Sequence, residues 1–139
     1  MRRALCLARA EGGQAMVEFA IVLPLLMLMM IAVFEFGRAW NVYQVMTDAA
    51  RSGARTAVVA DPSVTQDSVV AVVRRALSRA GVRGTGPAVT VTGFRAGTGT
   101  PAGVKIALPY RFVFIRPFMG WKDADASITL VTESIMRNE

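Results

Sequence analysis

Few side chains in this sequence are equipped for chemistry, and their placement narrows what that chemistry is. Histidine is absent, which excludes histidine-based acid–base catalysis and the usual zinc sites. Cys6 is the single cysteine, so no intrachain disulfide can form. The glycine-rich run Arg95–Ala102 lacks the lysine and hydroxyl that follow the last glycine of a phosphate loop. Asp123 and Asp125 could contribute to a calcium site, but two carboxylates without further ordered oxygen ligands do not define one. What remains is charge set against apolar sequence. Glu18 stands at one edge of the uninterrupted apolar run Phe19–Phe34, and Glu35 with Arg38 closes the other. A carboxylate near the end of a membrane span needs an interfacial position or a partner. No constellation supports catalysis, so the chain is expected not to be an enzyme and to carry neither cofactor nor metal.

The elements that position these charges follow from the same run. Its 16 residues span ~24 Å as a helix, short of a hydrocarbon core of ~30 Å. Adding Ala15–Val17 completes a plausible span only by including Glu18. Pro24 removes the bond to the Ala20 carbonyl and kinks or loosens this helix, which membrane helices tolerate when neighbours or water satisfy the freed group. Glu35, Arg38, Trp40 and Tyr43 make an ordinary membrane boundary of charge and aromatic anchors. An ordinary secretory signal would need a small-residue cleavage site after the run, and Glu35-Phe36-Gly37-Arg38-Ala39 is a poor match. A lipoprotein signal would put its cysteine after the run, whereas Cys6 precedes it. The helix is therefore expected to be retained, with Arg2, Arg3 and Arg9 holding the N-terminus in the cytoplasm.

The residues around this helix carry a resemblance. Gly13-Gln14-Ala15-Met16-Val17-Glu18-Phe19 resembles a type IV prepilin processing site, in which a glycine precedes four residues, a glutamate and a hydrophobic helix. The wider series, with Pro24, Glu35-Phe36-Gly37-Arg38 and Ala50-Arg51-Ser52-Gly53-Ala54-Arg55, is similar to the TadE-like family, minor pilins (pseudopilins) of the tight-adherence Flp pilus. The resemblance implies a leader, Met1–Gly13, removed by a prepilin peptidase between Gly13 and Gln14. It also implies that Glu18, with Phe19 and Pro24, sets assembly and register among subunits. The partners it implies are the prepilin peptidase, other pilins and minor pilins, and an assembly platform in the inner membrane, besides the lipid bilayer.

Physics makes sense of the same positions. Gly13 has no side chain, so a protease can approach the extended bond after it closely. Cutting there would leave an ammonium on Gln14, four residues before Glu18, within reach inside one subunit or between staggered subunits. Glu18 reaching the headgroups without a partner is the plainer alternative.

Beyond the membrane the helix is expected to continue to about residue 60, with Val42, Val45, Met46, Ala49, Gly53 and Ala57 on one face. Ala49, Ala50, Gly53 and Ala54 are small enough for close helix packing, either on the chain's own sheet or against a neighbouring subunit. Asp61-Pro62-Ser63 breaks it. A second helix is expected from Ser63 as N-cap, with Gln66 at capping-box spacing, to a stop at Gly81. Its apolar face is Val69, Val72, Val73, Ala76, Leu77 and Ala80, opposite Arg74, Arg75 and Arg79, with Arg83 just after. Such a charged side is most simply a solvated face. Period-two alternation then gives a strand from Ala88 and a longer one through Val104, Ile106, Leu108, Tyr110, Phe112 and Phe114. Pro109 on its other face implies an edge strand or a bulge. Ser127–Met136 is the third strand. The aromatic loop Phe118–Trp121 between the last two either folds over a sheet edge or meets another pilus component.

The fold class is thus α+β: a long N-terminal membrane-spanning helix, a second amphipathic helix and a small three-stranded antiparallel, pilin-like sheet. The organisation is a leader 1–13, a helix and its extension 14–60, and an exported domain 61–139. Basic residues exceed acidic ones by 16 to 10, and without Met1–Gly13 by 13 to 9, a balance too mild to mark a nucleic-acid binder. The alternatives are an uncleaved signal-anchored accessory protein and a DNA-uptake or secretion-system pseudopilin. The expected location is the cytoplasmic membrane, with incorporation into the pilus as a further step. Orientation is directly testable: a cysteine at position 98, replacing Thr98, should react with a membrane-impermeant thiol reagent once the outer barrier is permeabilised. Labelling only after the cytoplasmic membrane is broken would reverse the topology.

Overall fold

A computed structural model of the protein describes residues 2–59, 61–82, 86–114 and 127–138, with side chains from Gly13 onward. Arg83, the aromatic loop Phe118–Trp121 and the pair Asp123 and Asp125 lie outside the described residues. The first element, α1, is one helix from Arg2 to Val58. At 57 residues it is about 86 Å long. It runs through Gly13 and Pro24 without interruption. Its N-terminal half is bare: Met16, Ile21, Leu25, Met29 and Val33 are each at least 65% exposed. An apolar helix that no described part of the protein covers has its solvent elsewhere, and this one is long and apolar enough to cross a membrane.

The other half of α1 is a wall of the core. Met46, Ala49, Ala50, Ala54 and Ala57 are buried there against α2 and the sheet. α2 spans Gln66–Arg79 and presents Val69, Val73 and Leu77 to that core, as helical spacing requires. Its start differs from the expected Ser63 cap. The Asp61 carboxylate takes both the Ser63 amide (2.8 Å) and the Ser63 hydroxyl (2.7 Å), holding that residue in a turn. Thr65 caps instead: its Oγ1 accepts from the Ser68 amide at 3.2 Å, and the Ser68 hydroxyl accepts the Thr65 amide at 2.8 Å. Asp61 outcompeted the local pattern because a carboxylate so close to two donors closes a tight turn of its own. At the other end Gly81 adopts φ +73 and lets Gly81 and Val82 donate to Ser78 and Leu77, closing the helix.

The sheet has the order β1-β2-β3, all antiparallel, from Ala88–Thr92, Pro101–Arg111 and Ser127–Arg137. Ala102, Val104, Ile106, Leu108 and Tyr110 of β2 point into the core under the two helices. Phe112 and Phe114, assigned to the same strand by alternation, lie beyond its end, and Phe114 is exposed. Pro109 does not make β2 an edge strand, and no bulge occurs: β2 is central and pairs one-to-one with β3 from Pro101 to Arg111. β1 reaches only as far as Ala107, so Pro109 stands where that side of β2 has no strand beside it.

One contact decides how closely α1 approaches the rest. A Cβ built on Gly53 would lie 2.5 Å from Cγ2 of Val73 and 3.4 Å from Cγ1 of Val104. Valine is stiff at χ1 and cannot swing clear. Gly53→Ala should therefore destabilise the domain by about 1–2 kcal/mol, overpacking outweighing the helix-propensity gain. Chemical denaturation of the Gly53→Ala, Val73→Ala and double variants should return a favourable coupling energy. An additive cycle would mean that the two sites do not touch.

Candidate functional site

Two groups of residues on α1 carry the chemistry, one at each end of the bare segment. At the N-terminal end Gly13 is exposed, with nothing near where a Cβ would be. The bond after it is helical here, not extended, so a protease must unwind a turn to reach it. Adjacent glycines make that turn the cheapest to open, at ~1 kcal/mol each relative to alanine. Gln14 Nε2 donates to Glu18 Oε1 at 3.2 Å along the same face. Glu18, Phe19 and Pro24 follow on the exposed helix, and no described part of the domain covers them.

At the other end lies a site that the sequence did not announce. Glu35 is only 2% exposed although it is the first charged residue past the span. Its Oε1 accepts from Arg38 Nη2 at 2.7 Å and from the Tyr110 hydroxyl at 2.9 Å. Its Oε2 accepts the Phe114 amide at 2.9 Å and the Val113 amide at 3.3 Å. Arg38 also donates to the Arg111 carbonyl at 2.8 Å and lies 5.0 Å from the centre of the Tyr110 ring. The end of β2 is thereby clamped to α1 across more than 70 residues of sequence. Burial pushes the Glu35 carboxyl up, yet the Phe114 amide, Arg38, Tyr110 and the Val113 amide together hold it below its usual range. Burial and the Glu35 bond push the Tyr110 hydroxyl above its ordinary value.

The remaining boundary residues face the other way. Trp40 and Tyr43 are exposed and form a ladder with Phe36, ring centroids 6.2 and 6.1 Å apart. Ala49, Ala50, Gly53 and Ala54 are buried under the chain's own α2 and β2. Among the described residues no group of three metal-binding side chains occurs.

Residues 13–55 match the family model described as TadE-like protein. Neither the curated proteins nor the solved structures yield a match. The resemblance read from the ordered glycine, glutamate and arginine series is therefore borne out over that segment. The TadE-like segment coincides with the bare helix, the Glu35–Arg38 pair and the small-residue stripe, and stops before α2. Tyr110, Val113 and Phe114, which complete the clamp, lie outside it. One signal for Tyr110 was present in the sequence: it is the only residue of the inward-facing β2 series with a polar tip, which needs a partner when buried.

The clamp predicts an acid-sensitive fold. A carboxyl held below its ordinary pKa stabilises the folded state above the unfolded value and loses that contribution as pH falls through the folded one. Glu35→Gln should cost about 2–3 kcal/mol near neutral pH, since it leaves donors arranged for a carboxylate. Tyr110→Phe should cost about 1–2 kcal/mol. Denaturation of the detergent-solubilised protein across pH 3–7 checks this. The parent should lose stability on the acid side of the carboxylate range, and Glu35→Gln should show a flatter profile there.

Proposed function

We infer that this chain is a TadE-like minor pilin of a tight-adherence Flp pilus, cut by a prepilin peptidase between Gly13 and Gln14 and then assembled with other pilins. One observation carries the reading. The ordered series from Gly13 through Glu18 lies at the head of an apolar helix that no described part of the domain covers, within the matched segment. A processing site needs access, and an assembly helix needs a free surface; this helix offers both. The protein is thus the substrate of an enzyme and not an enzyme itself. Removing residues 1–13 takes away Arg2, Arg3, Arg9 and Glu11, and with them most of the charge that favours a cytoplasmic N-terminus. The mature helix is then free to leave the bilayer for a filament. The assembly platform in the inner membrane and neighbouring pilins are its partners.

Glu18 supplies the register. The cut leaves an ammonium at Gln14, whose side chain already reaches its own Glu18. In a bundle of staggered helices that ammonium can pair with the Glu18 of a neighbour, and a charge left unpaired in so low a dielectric disfavours docking. Glu18→Ala should insert at least as well as the parent, because a carboxylate at the end of a span costs little and even mid-bilayer only ~3 kcal/mol. Intact-mass measurement should find both proteins beginning at Gln14. The variant should stay in the membrane, uncrosslinked to other pilins and without pili. An intact Met1–Gly13 on the parent, in cells with an active peptidase, would instead mark an uncleaved signal anchor. Normal piliation by Glu18→Ala would reduce Glu18 to a membrane-edge residue.

A further inference from the structure

The span is too short for the way in which the head is attached to it. Phe114, three residues past β2, lines one groove with Ile31, Val33 and Phe34 of the apolar run, and Val82 lines it from just beyond α2. Phe114 therefore stands level with the last turn of the span. Either this turn is outside the hydrocarbon, or the base of the head is inside the interface. If Ile31–Phe34 were lifted clear, the run left in the bilayer would be Phe19–Met30, 12 residues. These span ~18 Å, far below the ~30 Å a hydrocarbon core demands. Counting Ala15–Glu18 at the other end as well, Ala15–Met30 would still span only ~24 Å. Ile31–Phe34 are therefore needed in the bilayer, and the base of the head comes down to the interface with them because Glu35 is locked to the chain just after β2.

The surface that this brings down is built for the place. Val113 (51% exposed) and Phe114 (55%) follow the end of β2, and Ile128 (44%) sits beside Tyr110 in the strand register. Phe36 and Trp40 lie at the same level of α1. Two cations stand among them, Arg38 with its side chain 40% exposed and the exposed Arg111, where lipid phosphates lie. Among the described residues the carboxylate at that depth, Glu35, is turned inward with four donors on it, which offsets the charge that would oppose immersion. We propose that the base of the head, Val113, Phe114 and Ile128 flanked by Arg38 and Arg111, is an interfacial membrane-binding surface, seated in the bilayer that α1 spans. The occupant is the lipid surface itself, because Phe114 and Arg38 of the patch share one groove with Ile31, Val33 and Phe34 of the span. The inference rests on α1 crossing the membrane and not on processing or assembly.

The test uses the full chain with Cys6→Ser, carrying single cysteines labelled with a polarity-sensitive fluorophore. The positions are Val113, Phe114 and Ile128, with Phe36 as interfacial reference and Ala96, exposed in the loop before β2, as distal reference. The clamp uses only the backbone amides of Val113 and Phe114, so these variants keep it, and circular dichroism confirms their fold. The proteins are reconstituted in vesicles of phosphatidylethanolamine and phosphatidylglycerol containing a headgroup-proximal nitroxide lipid. Emission at Val113, Phe114 and Ile128 should fall by about half, as at Phe36, while aqueous iodide spares them. Ala96 should respond to iodide and not to the lipid. Quenching by iodide at Val113 and Phe114 would overturn the proposal, placing the base of the head in water. Protection from both quenchers would overturn it as well, by showing that protein covers the patch.

Discussion

The structure hangs on one carboxylate. Glu35 lies where α1 leaves its bare segment and becomes part of the core, and it receives donors from Arg38, Tyr110, Val113 and Phe114. A buried charge with fewer partners would be costly, and this one has both oxygens satisfied. Because two donors are backbone amides just after β2, the carboxylate fixes where that strand ends relative to the helix. Everything along β2 follows from that position: Val104 opposite Gly53, Ile106 and Leu108 in the core, and β3 in register alongside. Arg38 ties the same point to the Arg111 carbonyl, so the end of the strand is held from two positions about one turn apart on α1.

The parts of this arrangement that sequence revealed are those set by local period. The apolar run, the α2 face from Val69 to Leu77, and the alternation of β1 and β2 each repeat at short range, and each is present. The α+β class follows from their order. What period cannot show is competition and distance. Ser63 looked like a cap because Gln66 stands three residues on, but Asp61 captures it first. Pro109 looked like an edge signal, and the fold meets it by stopping β1 at Ala107 while β2 stays central. Glu35 read as a membrane-boundary charge because the residues that bury it are 75 and more positions away. The glycine, glutamate and arginine series was legible because it is contiguous on α1; the other half of the clamp was not, because it comes from the far end of the chain.

Without a disulfide, a domain of this size must build its core from what it has. It does so by making the anchor helix part of that core. Met46, Ala49, Ala50, Ala54, Ala57 and Val58 supply much of the buried apolar surface, and none of them belongs to the domain as the helix break at Asp61 would draw it. The alanines and Gly53 bury little area individually, but they let α2 and β2 approach the α1 backbone. That closeness lets Val69, Val73, Leu77, Val104 and Ile106 become fully or nearly fully buried. Anchor and head therefore share one packed core, and α1 runs unbroken from the span into it, so the tilt of the span is passed to the head.

That rigidity also settles what the sheet can do to its own copies. β2 meets α1 at Gly53 near its start and at Glu35 near its end, so it runs back toward the membrane, and β1 and β3 run away from it. β3 is 11 residues long, free of proline and glycine, and among the described residues no strand lies on its outer side. Such an edge ordinarily invites a second copy to pair with it about a two-fold axis. Antiparallel pairing of β3 with itself would point the partner's α1 in the opposite direction. Two copies inserted in one membrane with the same orientation cannot meet that way. The anchor thus closes the commonest route to edge-to-edge association for as long as both chains stay in the bilayer. It leaves side-by-side contact between parallel α1 helices as the arrangement that membrane geometry permits.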